Sequence, residues 1–270
     1  VVQPDRNDPT KITPILAESW QADPAAKTLT IKLKSDAKFA SGNPVRPEDV
    51  IYSYVRAVTL NKSGAFILNV LGWQPENIAS QLKKIDDHTV QVQWSADVSP
   101  ALALNILSTP IASIVDEKLV APNAKNNDFG NEWLKMHSAG SGAFKMRTYQ
   151  PHQAIVMEAN ASSPTGAPKL KSVIIKNVPD PATRRLLLQQ GDADMARDLG
   201  ADQIDALQGK PGVKVMSIAS AEQNYLAFNT GNKDNPLMSN PAFWEAARWL
   251  VDYDGITKNL LKGQYFTHQS

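Results

Sequence analysis

The apolar positions of this chain change period several times along its length. "TLTIKLK" (Thr28–Lys34) and "HTVQVQW" (His88–Trp94) alternate strictly between apolar and polar residues. That two-residue period predicts half-buried strands. Between them Val50, Tyr54, Val55 and Val58 recur at helical spacing and predict a helix with one buried face. Pro100–Leu107 is a short apolar run closed by Pro110, which predicts a short helix. "SGAFKMRTYQPHQAIVMEAN" predicts a hairpin that turns near Gln150-Pro151. "KSVIIKNV" (Lys171–Val178) has the composition of a buried strand.

The second half continues the mixture. Asp180 is placed to cap a helix, with Pro181 at its first position and Gly191 closing it. "ADMARDL" (Ala193–Leu199), "GVKVMSIA" (Gly212–Ala219) and "NYLAFNTG" (Asn224–Gly231) predict three further strands. Ala201–Leu207 predicts a helix. Asn240–Gly263 predicts a long one, with Phe243, Ala247, Leu250, Val251 and Ile256 on its apolar face. Residues 1–13 are polar and proline-containing, and predict irregular chain. Strands and helices interleave without a fixed repeat, so the fold class is mixed α/β (α+β) and not a solenoid.

Composition narrows the function classes. A chain of 270 residues holds one large domain or two ordinary ones. A net charge of +1 gives no basis for binding nucleic acid or an anionic membrane. Lys83-Lys84 and Arg184-Arg185, the densest basic pairs, read as solvated faces. The chain has no cysteine, which removes disulfides, thiolate metal sites and thiol nucleophiles. No run approaches the length of an apolar membrane span, and no signal-peptide pattern is seen.

Candidate chemistry is thin. His88, His137, His152 and His268 stand at no metal-binding spacing, so no metal and no cofactor is expected. Ser35–Lys38 matches S-x-x-K, but at a strand exit and with neither S-D-N nor K-T-G following. Gly140-Ser141-Gly142 does not continue as a phosphate loop, because Lys145 stands where a glycine is needed. Among the aromatics, Phe66 and Trp73 lie close in sequence, as do Tyr225 and Phe228. Core packing accounts for most such residues.

"KFASGNPVRPEDVIYSYVRAV" (Lys38–Val58) puts a glycine turn before a helix whose first turn holds Pro47, Glu48 and Asp49. Carboxylates at that positive end disfavour an external anion. Asp49 is expected there as a structural cap worth about 0.5–2 kcal/mol.

Read with its neighbours, that stretch resembles a family. "LAESW" (Leu16–Trp20), Lys38-Phe39, Gly42, Pro44, Glu48-Asp49-Val50 and Tyr52-Ser53 are similar to the signature of the extracytoplasmic solute-binding proteins, family 5. These are dipeptide-, oligopeptide- and nickel-binding proteins of bacterial ABC importers. "GSGAFKM", "IVMEAN", "LLLQQGDADMA" and "YLAFNT … FWEAARWLVDYDGITKNLLKGQ" follow in the family's order, with Ala143 replacing a usual proline.

The resemblance implies a periplasmic-binding-protein type II-like lobe with an accessory subdomain and most of the second lobe missing. Residues 1–137 would be the accessory subdomain, 138–228 part of the first ligand-binding lobe, and 229–270 the hinge and first helix of the second. It implies a non-enzymatic substrate-binding component of an importer, which captures a small peptide or peptide-like solute and delivers it to ABC transporter permease subunits. The location would be the periplasm, or the outer face of a Gram-positive membrane through an N-terminal anchor; otherwise membrane contact is only through the permease. By resemblance Arg197, Gln223, Asn224, Tyr225 and Phe66 would be ligand-binding, and Asn229 and Thr230 hinge residues. For Arg197 a surface ion pair with Asp198 or Asp194 competes. Two other classes stand beside this one: a serine hydrolase using Ser35/Lys38, and a protein-interaction fragment.

Overall fold

In the computed structural model the alternating segments become strands wherever a partner strand is available. The structure describes residues 1–5, 7–8, 10–218 and 223–267. The chain divides into two units, Val1–Asn177 and Val178–Ser270.

The first unit opens with β1 (Val2–Pro4) and β2 (Ile12–Pro14), paired antiparallel. This corrects the expectation of irregular chain. Val1 and Val2 are buried, and the prolines sit at strand ends, where the lost donor does little harm. Next come β3 (Ala17–Asp23), β4 (Thr28–Leu33), β5 (Leu82–Lys84) and β6 (Thr89–Gln93). They form one antiparallel sheet in the order β3-β4-β6-β5. Leu29, Ile31 and Leu33 of β4 and Val90 and Val92 of β6 are all buried, as the alternation requires.

Helix α1 (Pro47–Leu60) brings Val50, Tyr54 and Val58 into the same core, with Val55 half-buried. Trp73 and Trp94 complete it. Each carries its indole N–H to a carbonyl, Gln93 O at 2.8 Å and Val98 O at 3.1 Å, so burial leaves no donor unpaired. α2 (Ala65–Asn69), α3 (Pro100–Leu107), α4 (Glu117–Val120) and α5 (Asn131–Leu134) follow, α3 capped by the Ser99 hydroxyl.

Two buried acids tie the start of α1 and the turn before it to the start of α4. Asp49 accepts the Arg46 N–H (2.8 Å) and the Glu117 N–H (3.0 Å), and its carboxylate is gripped by the Arg46 guanidinium at 3.1 and 3.2 Å. Asp116 accepts from the Ser41 hydroxyl (2.6 Å) and the Asn43 amide (2.9 Å) across the Gly42 turn. Asp49 therefore caps its helix as expected, but from a fully buried position.

Gly130 precedes α5 at φ +70°, a region that costs any side-chain-bearing residue strain. An added Cβ would also lie 2.5 Å from Val120 Cγ1 and 3.0 Å from the Val120 carbonyl oxygen. Gly130→Ala is expected to cost about 2 kcal/mol in thermal unfolding; a loss below a few tenths would contradict this packing.

The hairpin is β7 (Phe144–Gln150) and β8 (Ala154–Ala159), joined by β9 (Ser172–Lys176) in a three-stranded antiparallel sheet. β9 is a strand as expected, but it is not buried: Ile174 and Ile175 are each more than half exposed. It is the edge strand, and both of its faces stay largely open there.

The second unit holds α6 (Pro181–Gln190), α7 (Ala201–Asp205) and α8 (Pro241–Leu250). The three strands expected over 193–199, 212–219 and 224–231 do not form among the described residues; Ala219 lies outside them. A strand is stable only through its ladder, and these segments find no partner among the described residues. Met216, Ile218, Tyr225 and Leu226 are consequently exposed. The long helix expected over 240–263 is interrupted. Val251 is extended (ψ 119°), the Asp252 carboxylate accepts the Gly255 N–H, and a separate π-helical turn spans Gly255–Leu260. An aspartate that offers the backbone a local partner, followed by glycine, breaks the helical ladder. Gly263 closes the second piece at φ +77°, as the sequence predicts.

Candidate functional site

The loop bearing Arg197 is held from α6. Asp180 caps that helix by accepting the Thr183 N–H (2.7 Å) and hydroxyl (2.6 Å). The Thr183 hydroxyl, then its N–H, hold the Asp180 carboxyl below the usual range. This contribution is present above the ordinary aspartate pKa and is lost as pH falls through the lowered value. Gly191 ends the helix in the left-handed conformation.

One turn into α6, the Arg184 guanidinium donates to three carbonyls: Val178 and Pro179 before the helix (2.7 and 2.8 Å) and Asp198 after it (2.7 Å). Arg185 reaches Gln203 on α7 at 2.7 Å. The arginine doublet is thus a brace for two backbone segments, not a solvated face. Its signal in the sequence is only that an arginine follows a helix start with Asp180 as its cap and Pro181 at its first position.

Arg197 lies next to the pinned Asp198 carbonyl, exposed, in irregular chain rather than past a strand. It makes no ion pair or hydrogen bond among the described residues, so the competing pair with Asp198 or Asp194 is not formed there. Gln223, Asn224 and Tyr225 follow in sequence in exposed, unpaired chain, with Tyr225 83% exposed. Asn229 closes a small turn by accepting the Gly231 N–H (3.2 Å), and the Thr230 carbonyl accepts the Ser239 hydroxyl (2.7 Å). Phe228 packs edge-on against Phe243 of α8, with centroids 5.2 Å apart. The segment 228–230 is therefore latched by its ring to α8 and by its backbone to Ser239 just before it.

Phe66 belongs to the first unit. It projects from α2 and is 69% exposed, with Val70 one turn on also exposed. Trp73, seven residues later, is completely buried. Core packing thus accounts for Trp73 but for neither Phe66 nor Tyr225.

Ser35 and Lys38 are both exposed, at a turn and at an isolated bridge, with no bond between them and no helix start. The nucleophile reading has no geometry behind it. Among the described residues no group of three or more His, Asp or Glu side chains is placed to hold a metal ion, and no helix is long and apolar enough to cross a membrane.

Residues 11–270 match the model of the bacterial extracellular solute-binding proteins, family 5 Middle. The chain belongs to that family. It is 32% identical over 248 residues to the "Probable D,D-dipeptide-binding periplasmic protein DdpA" of Escherichia coli, covering 92% of this chain and 45% of that protein. Its fold is shared by DppA of Helicobacter pylori, solved with the peptide STSA (TM-score 0.79, 22% identity, 97% of this chain and 52% of that one). NikZ of Campylobacter jejuni, solved with Ni(L-His), is also similar (TM-score 0.76, 20% identity, 97% and 49%). The family-5 chain described here spans about half the length of the curated relatives it matches.

Proposed function

We propose that this chain is part of the substrate-binding component of an ABC importer, which captures a small peptide or peptide-like solute and passes it to the permease. The observation that carries this reading is the family match over residues 11–270, together with the 32% identity to a protein named for binding a D,D-dipeptide. No cofactor and no catalysis enter: a cleft that closes on its ligand excludes water and strengthens each polar contact. The protein acts in the periplasm, or outside a Gram-positive membrane on an N-terminal anchor.

Within this reading, residues 1–137 are an accessory subdomain, 138–228 belong to the first ligand-binding lobe, and 229–270 lead through the hinge Asn229-Thr230 into the second. The separate four-stranded and three-stranded sheets support the first division. Arg197 takes the ligand carboxylate by its guanidinium fork, and Gln223, Asn224 and Tyr225 offer polar contacts. Phe66 supplies an exposed aromatic from the accessory subdomain. The exposure of Phe66 and Tyr225 and the lack of a partner for Arg197 among the described residues support this use.

Native mass spectrometry of the full-length protein from its own host tests the reading. The expected result is a retained adduct of peptide size. No adduct, no calorimetric response to a dipeptide panel, and ester turnover that Ser35→Ala abolishes would replace it with the hydrolase.

A further inference from the structure

Apart from the residues proposed above for the ligand, the first unit carries a cleft of about 280 Å³. One wall is the chain that ends α5. There Trp133 and His137 stack in parallel, with centroids 4.2 Å apart and planes within 2°, and Met136 is half exposed beside them. The His137 Nδ1–H donates to the Trp133 carbonyl at 2.8 Å, which fixes the imidazole plane. The opposite wall is β7, and it contributes Lys145, Met146 and Arg147 in succession.

A regular strand turns successive side chains to opposite faces, so three consecutive residues along one cleft call for an irregularity in the strand. The register slips between Met146, opposite Met157, and Thr148, opposite Val156, so Arg147 is an extra residue with no partner across the ladder. Such a bulge re-aims a side chain. The two cations differ in commitment. Lys145 is neutralised across the hairpin by Glu158 at 3.1 Å. Arg147 is exposed and makes no ion pair or hydrogen bond among the described residues.

We propose that this cleft is a second, separate ligand site for an amino-acid-sized carboxylate with an apolar or aromatic side group. Arg147 holds the carboxylate through its two-pronged fork. The Trp133–His137 stack and Met136 receive the side group. The volume is just below the usual range for small-molecule sites, which sets the ligand near a single amino acid rather than a peptide. The site does not depend on the importer reading or on Arg197.

The test uses the whole chain labelled with ¹³C at its methionine methyls, titrated with N-acetyl-L-phenylalanine. Saturable shifts of Met136 and Met146 are expected, with Kd on the order of 0.1–1 mM. Arg147→Ala should weaken binding by about tenfold or more, with Arg147→Lys between. Arg197→Ala should leave it unchanged, and the uncharged N-acetyl-L-phenylalaninamide should not bind. Shifts that fail to saturate by about 10 mM, equal binding of acid and amide, or shifts that move with Arg197 instead of Arg147 would each overturn the site. The amide comparison decides the question even if an Arg147 variant folds poorly.

Discussion

Asp49→Ala is expected to destabilise the chain by about 3 kcal/mol, more than a surface helix cap is worth. The side chain is fully buried and does four things at once. It accepts two backbone N–H groups, from Arg46 and Glu117, and two guanidinium bonds from Arg46. Removal leaves the Arg46 and Glu117 N–H groups without their acceptor in a partly buried place, and a fully buried orphan costs roughly 1–3 kcal/mol. Arg46 is less of a casualty, because it keeps Glu117 at 3.1 Å and is partly exposed. Asp49→Asn retains the shape but sets an amide N–H₂ against donors, so it should fall between, at about 1–2 kcal/mol. Urea unfolding followed by tryptophan fluorescence measures both. A loss under about 1 kcal/mol for the alanine variant would show that the Arg46–Asp49–Glu117 cluster adds nothing beyond an ordinary cap. Ligand affinity of the full-length protein should not change.

Arg197→Ala should act in the opposite way, on binding and not on stability. A charge-assisted fork to a carboxylate is worth about 2 kcal/mol, which is roughly a thirtyfold loss of affinity for a dipeptide. Lysine at this position keeps the charge but not the planar fork and should recover only part of it. The unfolding midpoint should not move, because Arg197 is exposed and bonds to nothing among the described residues. Titration calorimetry on the full-length protein measures the effect. Affinity within twofold of the parent would remove Arg197 from the site.

What was legible in the sequence was local. The strands Thr28–Leu33 and Thr89–Gln93, the helices after Arg46, Ser99 and Asp180, and the 144–159 hairpin all announce themselves by period, cap or turn within a few residues. What was not legible depends on distant chain. The apolar stretches around Met216 and Leu226 have strand composition, but composition does not provide a neighbour to pair with. The 240–263 helix fails at Asp252-Tyr253-Asp254-Gly255, where a local bond outcompetes a period that looks continuous on paper. Burial of Asp49 and Asp116 follows from the packing of α1 against the start of α4, which no local pattern encodes. The candidate site is less legible still. Phe66 and Trp73 share a residue class and a neighbourhood yet end on opposite sides of the surface, and only the family likeness singled out Phe66 and Arg197.

The order of strands in the first sheet also sets the tempo at which it can assemble. β4 and β6 are neighbours in space, but roughly 55 residues separate them, including α1 and α2. Closing a loop of that length costs about 3–4 kcal/mol of chain entropy before the ladder returns anything. The β7–β8 hairpin faces no such delay, because only Pro151-His152-Gln153 join its strands. Hairpins of that kind form within roughly 1–10 µs, whereas sheets dominated by distant pairings take milliseconds to seconds. The buried tryptophans Trp73 and Trp94 sit at the slow pairing, so their fluorescence reports the closure that limits assembly of the core.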